Sequence, residues 1–310
     1  IQPGDEVITT PFTFIATAEV IQLLQAKPIF VDIEPGTLNI DVTKIEEKIT
    51  SKTKAIIPVS LYGQPCDMDE INSVAEKYSK KVGKEIYVIE DAAQSFGAEY
   101  KGKKSCGLSK LACTSFFPAK PFGCFGDGGA VFTADETLAK KIKCLSTHGQ
   151  TKRYHHEYIG INGRLDTLQA AVLLAKLPHY LSEIKQRQAV AKKYDDLLDN
   201  KENFIKTTLR NNRSSVFAQY TIRVKNRDQV KDYLQEQGVP TAVHYPKPLH
   251  LQPCFSDAGF KQGDFPISEK TANEVLSLPM CAFTQEAHQG YIVAKLAEYS
   301  HEHCAENLNI

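Results

Sequence analysis

The sequence lacks an excess of either charge. Lys and Arg together number 37, as do Asp and Glu, so the formal net charge is zero. That balance argues against nucleic acid or an acidic membrane as partner. The sequence also lacks an apolar run long enough to cross a bilayer, and no secretory leader pattern is visible. The eight cysteines (66, 106, 113, 124, 144, 254, 281 and 304) include no CxxC pair. In a chain of 310 residues this spacing argues against a disulfide framework and fits the reduced thiols of a cytoplasmic protein. No metal site is expected either, because His155-His156 and the terminal His301-Glu302-His303-Cys304 lack the spacing of a closed ligand set. Internal repeats and low-complexity segments are missing too. What remains is ordinary globular composition, 42% hydrophobic and 24% charged, in a chain long enough for two domains.

Along the first half, short β-rich runs alternate with helical ones. Strands are expected at 6–9, 28–31, 55–59 and 86–89. Helices are expected at 15–25, 42–49 and 68–78, the last capped by Asp67. Apolar runs of this kind, separated by helices, predict a mostly parallel sheet in an α/β layer fold. Two further strands, 114–117 and 130–133, flank a loop rich in Pro and Gly. Residues 165–198 read as one long helical stretch, with Pro178 expected to break or kink it. A strand at 217–224 and helices at 229–237, 268–275 and 285–299 complete the chain. The expected division is a large domain, 1–185, and a smaller C-terminal α/β domain, 186–310.

Ligands of open parallel sheets sit beyond the carboxyl ends of the strands. Asp91 closes the strand ending in Glu90 and is followed by Ala92-Ala93-Gln94. It either caps the next turn or points into that crevice. Lys120, in Ser115-Phe116-Phe117-Pro118-Ala119-Lys120-Pro121-Phe122-Gly123, is flanked closely by two prolines. A stiff loop suits an amine that must reach a single carbon, although a solvated lysine is the commoner case. Gly126-Asp127-Gly128-Gly129 reads as a hairpin turn. Arg164 is either a helix-start residue paired with Asp166 or a functional group, and a cation is unfavourable at a helix N-terminus.

Taken in order, these pieces resemble the DegT/DnrJ/EryC1/StrS family of sugar aminotransferases. The resemblance extends over most of the chain. It takes in Gly4-Asp5-Glu6-Val7-Ile8-Thr9, Pro11-Phe12-Thr13-Phe14, His148-Gly149, Gly160-Ile161-Asn162-Gly163-Arg164 and His244-Tyr245-Pro246. It implies the fold-type-I architecture of enzymes dependent on pyridoxal 5'-phosphate. Lys120 would then hold the cofactor and shuttle a proton. Asp91 would keep the pyridine nitrogen protonated, and Gln94 would bond the phenolic oxygen. Ser115 would bind the phosphate, and Phe14 would stack on the ring. Asn162 would reach across a homodimer interface to the neighbour's cofactor phosphate, so that active sites are shared. Arg164, His244 and Tyr245 would contact the substrate, a guanidinium being suited to a carboxylate.

Within the family the chain is most similar to members that aminate C3 of a UDP-linked, N-acetylated hexuronic acid. Those members use glutamate as donor and feed surface-polysaccharide synthesis. An aminotransferase for another nucleotide-linked keto-sugar is the alternative, as is a non-catalytic, cofactor-binding regulatory homologue. A sugar dehydratase of the same fold carries His where Lys120 stands. Three departures are visible: Ala119 in place of a Ser, Met280-Cys281-Ala282 in place of Met-His-Pro, and a start at Ile1-Gln2-Pro3-Gly4, past the family's first segment. That segment supplies helix N-terminal amides to the phosphate. The expectation is therefore a truncated enzyme with weakened cofactor retention, poor solubility and uncovered apolar surface on strands such as 55–59.

Overall fold

A computed structural model describes residues 1–199, 201 and 203–306. Strand β1 (Glu6–Thr9) leads to helix α1 (Ala16–Leu23) and β2 (Lys27–Phe30). β3 (Thr53–Ile56), α2 (Met68–Val82) and β4 (Tyr87–Asp91) follow. A two-residue hairpin, β5 (Glu99–Tyr100) and β6 (Lys103–Lys104), precedes β7 (Leu111–Ser115) and β8 (Gly129–Phe132). After α3 (Glu136–Leu145) comes a second small hairpin, β9 (Gln150–Lys152) and β10 (His155–His156), and then α4 (Thr167–Leu198). The remainder is β11 (Phe204–Lys206), β12 (Tyr220–Val224), α5 (Arg227–Glu236), α6 (Pro266–Glu274), β13 (Val275–Leu278) and α7 (Glu286–Glu306).

The main sheet has the order β2-β1-β3-β4-β7-β8. Every pairing in it is parallel except β7 with β8. This is the expected α/β layer fold, with an antiparallel hairpin where the sequence shows a glycine turn. A separate antiparallel sheet, β11-β12-β13, lies in the second half. Ile8, Val31, Ile56, Ile71 and Val88 form one core of the first half. Tyr194, Ile222, Val230, Leu234, Leu276 and Leu296 form the core of the second. The two halves also interlock. Leu249, Phe255 and Phe265 pack on Ala18 and Phe30, and the Leu249 N–H donates to the Pro11 carbonyl at 2.7 Å. Residues beyond 240 thereby brace the loop between β1 and α1, which borders the site.

Four expectations are corrected. Residues 42–49 form two 3₁₀ turns, Val42–Lys44 and Glu46–Lys48, rather than an α-helix. The segment holds two β-branched residues in its first turn, and only Ile45 is fully buried, so little packing favours a longer helix. Asp67 precedes α2 but makes no capping bond. Its carboxylate instead takes Arg210 Nη1 at 2.7 Å and the buried Arg213 guanidinium, because charge-assisted pairs outcompete a neutral N–H donor. Pro178 does not interrupt α4, which runs unbroken for 32 residues. An internal proline costs about 3 kcal/mol. Leu173, Tyr180 and Ile184 are buried around it, each contributing roughly 1.5–3 kcal/mol, and Tyr180 Oη donates to the Phe96 carbonyl at 2.6 Å. Finally, residues 55–59 are not uncovered. Ala55, Ile56, Ile57 and Val59 are all buried: Ala55 and Ile57 pack with Val7 of β1 and Ile21 of α1, Ile56 with Ile8 and Val88, and Val59 with Phe12 and Leu61. Exposed apolar side chains lie elsewhere, among them Leu23 on α1, Val131 on β8, and Leu168, Leu174 and Leu181 on α4.

Candidate active site

β3, β4 and β7 run parallel, so their carboxyl ends open on one side of the sheet. The register places Asp91 opposite Cys113 and bridges it to Val59. Ser115 lies two residues beyond Cys113 at the end of β7. Side chains alternate along β4. Glu90 turns to the far side and is buried among Ser105 Oγ at 2.6 Å, Cys106 N–H at 3.0 Å and Leu108 N–H at 3.3 Å. Asp91 turns toward the crevice.

There a cavity of about 460 Å³ gathers Phe14, Asp91, Gln94, Ser115, Lys120, His244 and Tyr245. Seven of the nine residues singled out from sequence thus meet in one place. Asn162 and Arg164 do not line it. Both are exposed, on the segment after the β9-β10 hairpin, where Arg164 Nε donates to Asn162 Oδ1 at 2.9 Å. The alternative pairing of Arg164 with Asp166 is not formed.

Each cavity group is held by identifiable contacts. Asp91 Oδ1 accepts from the Ala93 N–H at 3.1 Å and Oδ2 from Thr17 Oγ1 at 2.9 Å. It therefore caps its turn and faces the crevice at once. Burial pushes its carboxyl above the usual range, while the Ala93 amide, the Thr17 hydroxyl and the Lys120 charge hold it down. Lys120 shows the opposite sign: burial depresses its ammonium below the ordinary lysine range, and Asp91 opposes that. Gln94 Oε1 accepts the Tyr62 N–H at 2.6 Å, which leaves Nε2 to donate toward Tyr245 Oη at 3.3 Å. His244 Nδ1 meets Ser277 Oγ at 3.0 Å, and burial and the nearby Lys120 lower its pKa. Burial raises the Tyr245 phenol to about 12, so it is a neutral donor at physiological pH. Phe14 is 55% exposed and its ring lies 6.1 Å from that of Tyr245.

The stiffness expected of the Lys120 loop has a wider cause than its prolines. Phe116 and Phe122 sit at its two ends in an aromatic cluster with Phe96 and Tyr180, Phe122 and Tyr180 being 4.6 Å apart. The Lys120 N–H closes a turn onto the Phe117 carbonyl at 2.8 Å. Gly123 is required there, because a Cβ would lie 2.6 Å from the carbonyl oxygens of Phe117 and Pro118. Sequence reasoning missed Thr13, Thr17 and Gln219, which also line the cavity. A Thr-x-x-x-Thr spacing at the start of a helix was the visible signal for the first two.

The sequence pattern of the DegT/DnrJ/EryC1/StrS aminotransferase family matches residues 1–297. The chain belongs to this family. It is 54% identical over 295 residues to the UDP-2-acetamido-2-deoxy-3-oxo-D-glucuronate aminotransferase of Pseudomonas aeruginosa, covering 95% of this chain and 79% of that protein. It is 48% identical over 299 residues to the pleiotropic regulatory protein of Geobacillus stearothermophilus, covering 96% and 79%. The PLP-form structure of "putative sugar aminotransferase Spr1654" from Streptococcus pneumoniae superposes with a TM-score of 0.90 at 27% identity, covering 97% of this chain and 82% of that one. The fold is that of pyridoxal-phosphate-dependent sugar aminotransferases, and this chain is an aminotransferase of nucleotide sugars that uses the same cofactor.

The cavity suits that cofactor. Its volume falls within the ordinary range for small-molecule sites, ≈ 300–1,000 Å³. The Asp91 carboxylate and the Lys120 amine both line it, and among the described residues Lys120 Nζ makes no hydrogen bond or ion pair. Among the described residues no helix is long and apolar enough to cross a membrane. Of the terminal cluster 301–304, all side chains but that of His301 lie outside the described residues.

Proposed function

We propose that the protein transfers an amino group from glutamate to the C3 keto carbon of a UDP-linked, N-acetylated hexuronic acid, in the cytoplasm, for surface-polysaccharide synthesis. The observation that supports this most is the convergence of Lys120, Asp91, Gln94 and Ser115 on one cavity in a chain 54% identical to an enzyme named for that substrate class. The chain divides into a cofactor domain, 1–185, and a smaller domain, 186–310, which delivers His244 and Tyr245.

Pyridoxal 5'-phosphate, when bound, supplies an electron sink conjugated to the amine under transfer. Lys120 would hold its aldehyde carbon, Asp91 its ring nitrogen, Gln94 Nε2 its phenolic oxygen and Ser115 its phosphate, with Phe14 against the ring. Asp91 is suited to a cationic partner because both its oxygens are already oriented by donors, so little reorganisation is needed. The depressed pKa of Lys120 leaves more of the amine neutral near physiological pH, able to take a proton at Nζ and return it. Tyr245 and His244 close the cavity wall and orient the sugar through neutral hydrogen-bonding groups.

The protein acts as a homodimer with shared sites, Asn162 and Arg164 of one protomer reaching the partner's cavity. Both are exposed and lie outside their own cavity. The neighbouring Ile159 and Ile161 are 99% and 69% exposed, an apolar surface that a dimer interface would cover. Assaying the purified protein with glutamate and a panel of nucleotide-linked keto-sugars tests the reading. The 3-keto uronate should be aminated fastest. Equal or faster turnover of a neutral hexose would displace the substrate assignment, and absence of turnover in protein that still carries a visible cofactor band would favour the regulatory alternative.

A further inference from the structure

Asp91 stands in a setting that works against its charge. Its other titratable neighbours, Glu90, Cys106, Cys113 and Tyr245, each gain a charge of the same sign when ionised. Lys120 is the one cation that lowers its pKa. Its ionised form therefore leans on two neutral donors, the Ala93 amide and the Thr17 hydroxyl. The amide belongs to the local turn. Thr17 comes from 74 residues away in sequence, in the first turn of α1, where the helix N-terminus also favours an anion. It is buried, and so is Thr13, whose hydroxyl lies 3.2 Å from that of Thr17.

The direction of this chain follows from its end. An ionised carboxylate only accepts. The Thr17 proton is thus committed to Asp91 Oδ2, and Thr17 Oγ1 is left to accept from Thr13. The hydroxyls form a one-way relay, Thr13 to Thr17 to Asp91, in which each bond polarises the next.

We propose that Thr17, backed by Thr13, is a positioning residue that fixes the Asp91 carboxylate and keeps it ionised toward the cofactor ring. This rests on the reading of Asp91 as the ring-nitrogen partner. Thr17 touches no reacting atom in this scheme and acts through Asp91.

The test compares Thr17→Val, Thr17→Ser, Thr13→Val and Asp91→Asn in the holoprotein reconstituted with pyridoxal 5'-phosphate. The readouts are the pH titration of the bound cofactor's visible band, the steady-state split between kcat and KM, and the melting temperature. Loss of one charge-assisted bond should move the titration midpoint of Thr17→Val by about one pH unit. It should lower kcat roughly tenfold with KM little changed. Thr17→Ser should restore the wild-type midpoint, and Thr13→Val should shift it the same way by less. Should Thr17→Val fail to fold, Thr13→Val and Thr17→Ser decide: a shift in the first with a wild-type second supports the relay, and no shift in the first overturns it. A wild-type midpoint in Thr17→Val beside a displaced one in Asp91→Asn overturns the role of Thr17 alone. A wild-type midpoint in Asp91→Asn overturns the assignment of Asp91, and this inference with it.

Discussion

Two regions carry the residues singled out from sequence, and they fare differently. The strand ends at 91–94 and 115–120 deliver Asp91, Gln94, Ser115 and Lys120 into one cavity, the first three held by side-chain bonds within the same chain and Lys120 by its backbone N–H. The segment 150–165 leaves Asn162 and Arg164 on the surface, bonded to one another. Its hairpin is short, and the stretch after it is pinned by a close backbone approach: a Cβ on Gly160 would lie 2.3 Å from the Leu145 carbonyl oxygen. One region is gathered within a single chain. The other is well formed, and its Asn162 and Arg164 do not line the cavity of their own chain. Parallel-sheet register and the packing of the Lys120 loop assemble the first, whereas the role proposed for the second requires a second chain to supply the cavity.

The strongest way to break this contrast is to separate the regions onto different protomers. Mixing Lys120→Ala protein with Asn162→Ala/Arg164→Ala protein, each inactive alone, gives mixed dimers with one intact site if sites are shared. After random exchange about a quarter of wild-type activity should return. No recovery after verified exchange would mean that the 150–165 segment serves its own chain or only the fold.

A smaller effect sharpens the comparison at the substrate. An Arg-carboxylate hydrogen bond contributes about 1.5–3 kcal/mol. Arg164→Lys should therefore weaken kcat/KM for a uronate by roughly ten- to a hundredfold and leave the neutral hexose counterpart little changed. Equal losses on both substrates would assign Arg164 to the interface instead.

The smallest effect concerns two lysines near the strand ends. Lys120 is pushed below the ordinary lysine range by burial, whereas Lys110 is pushed above it by its bond to Glu85. Below its pKa an amine is charged and unreactive, so Lys120 should become reactive at lower pH than Lys110. Competitive amine labelling of cofactor-free protein across a pH series, read by peptide mass, checks the order. Asp91→Asn removes the opposing charge and should move Lys120 lower still. Reversal of the Lys120 and Lys110 order would mean that the Lys120 amine is solvated.

How much of this was legible depends on the range of the interaction. The strand-helix alternation, the crevice at Asp91 and the Lys120 loop follow from local pattern and from motifs that keep their order in the chain. The break offered at Pro178 is not formed because the helix there is held by Tyr180 and Ile184 packing on Phe96 and Phe122, contacts made far along the chain. The cap offered at Asp67 is not formed for the same reason, its partners Arg210 and Arg213 lying more than 140 residues away. Thr17 shows the limit most clearly. Nothing in residues 13–17 alone says that a hydroxyl there will meet the carboxylate of Asp91, since that contact exists only once β1 and β4 lie on either side of β3.

The central claim is that Lys120 is the lysine that holds the cofactor. Reducing the holoprotein with borohydride, which fixes the cofactor to the amine that holds it, and mapping the peptides tests this directly. The pyridoxyl group should appear on the peptide containing Lys120, at about one per chain. Its appearance on Lys110 or any other lysine, with Lys120 unmodified, would contradict the account.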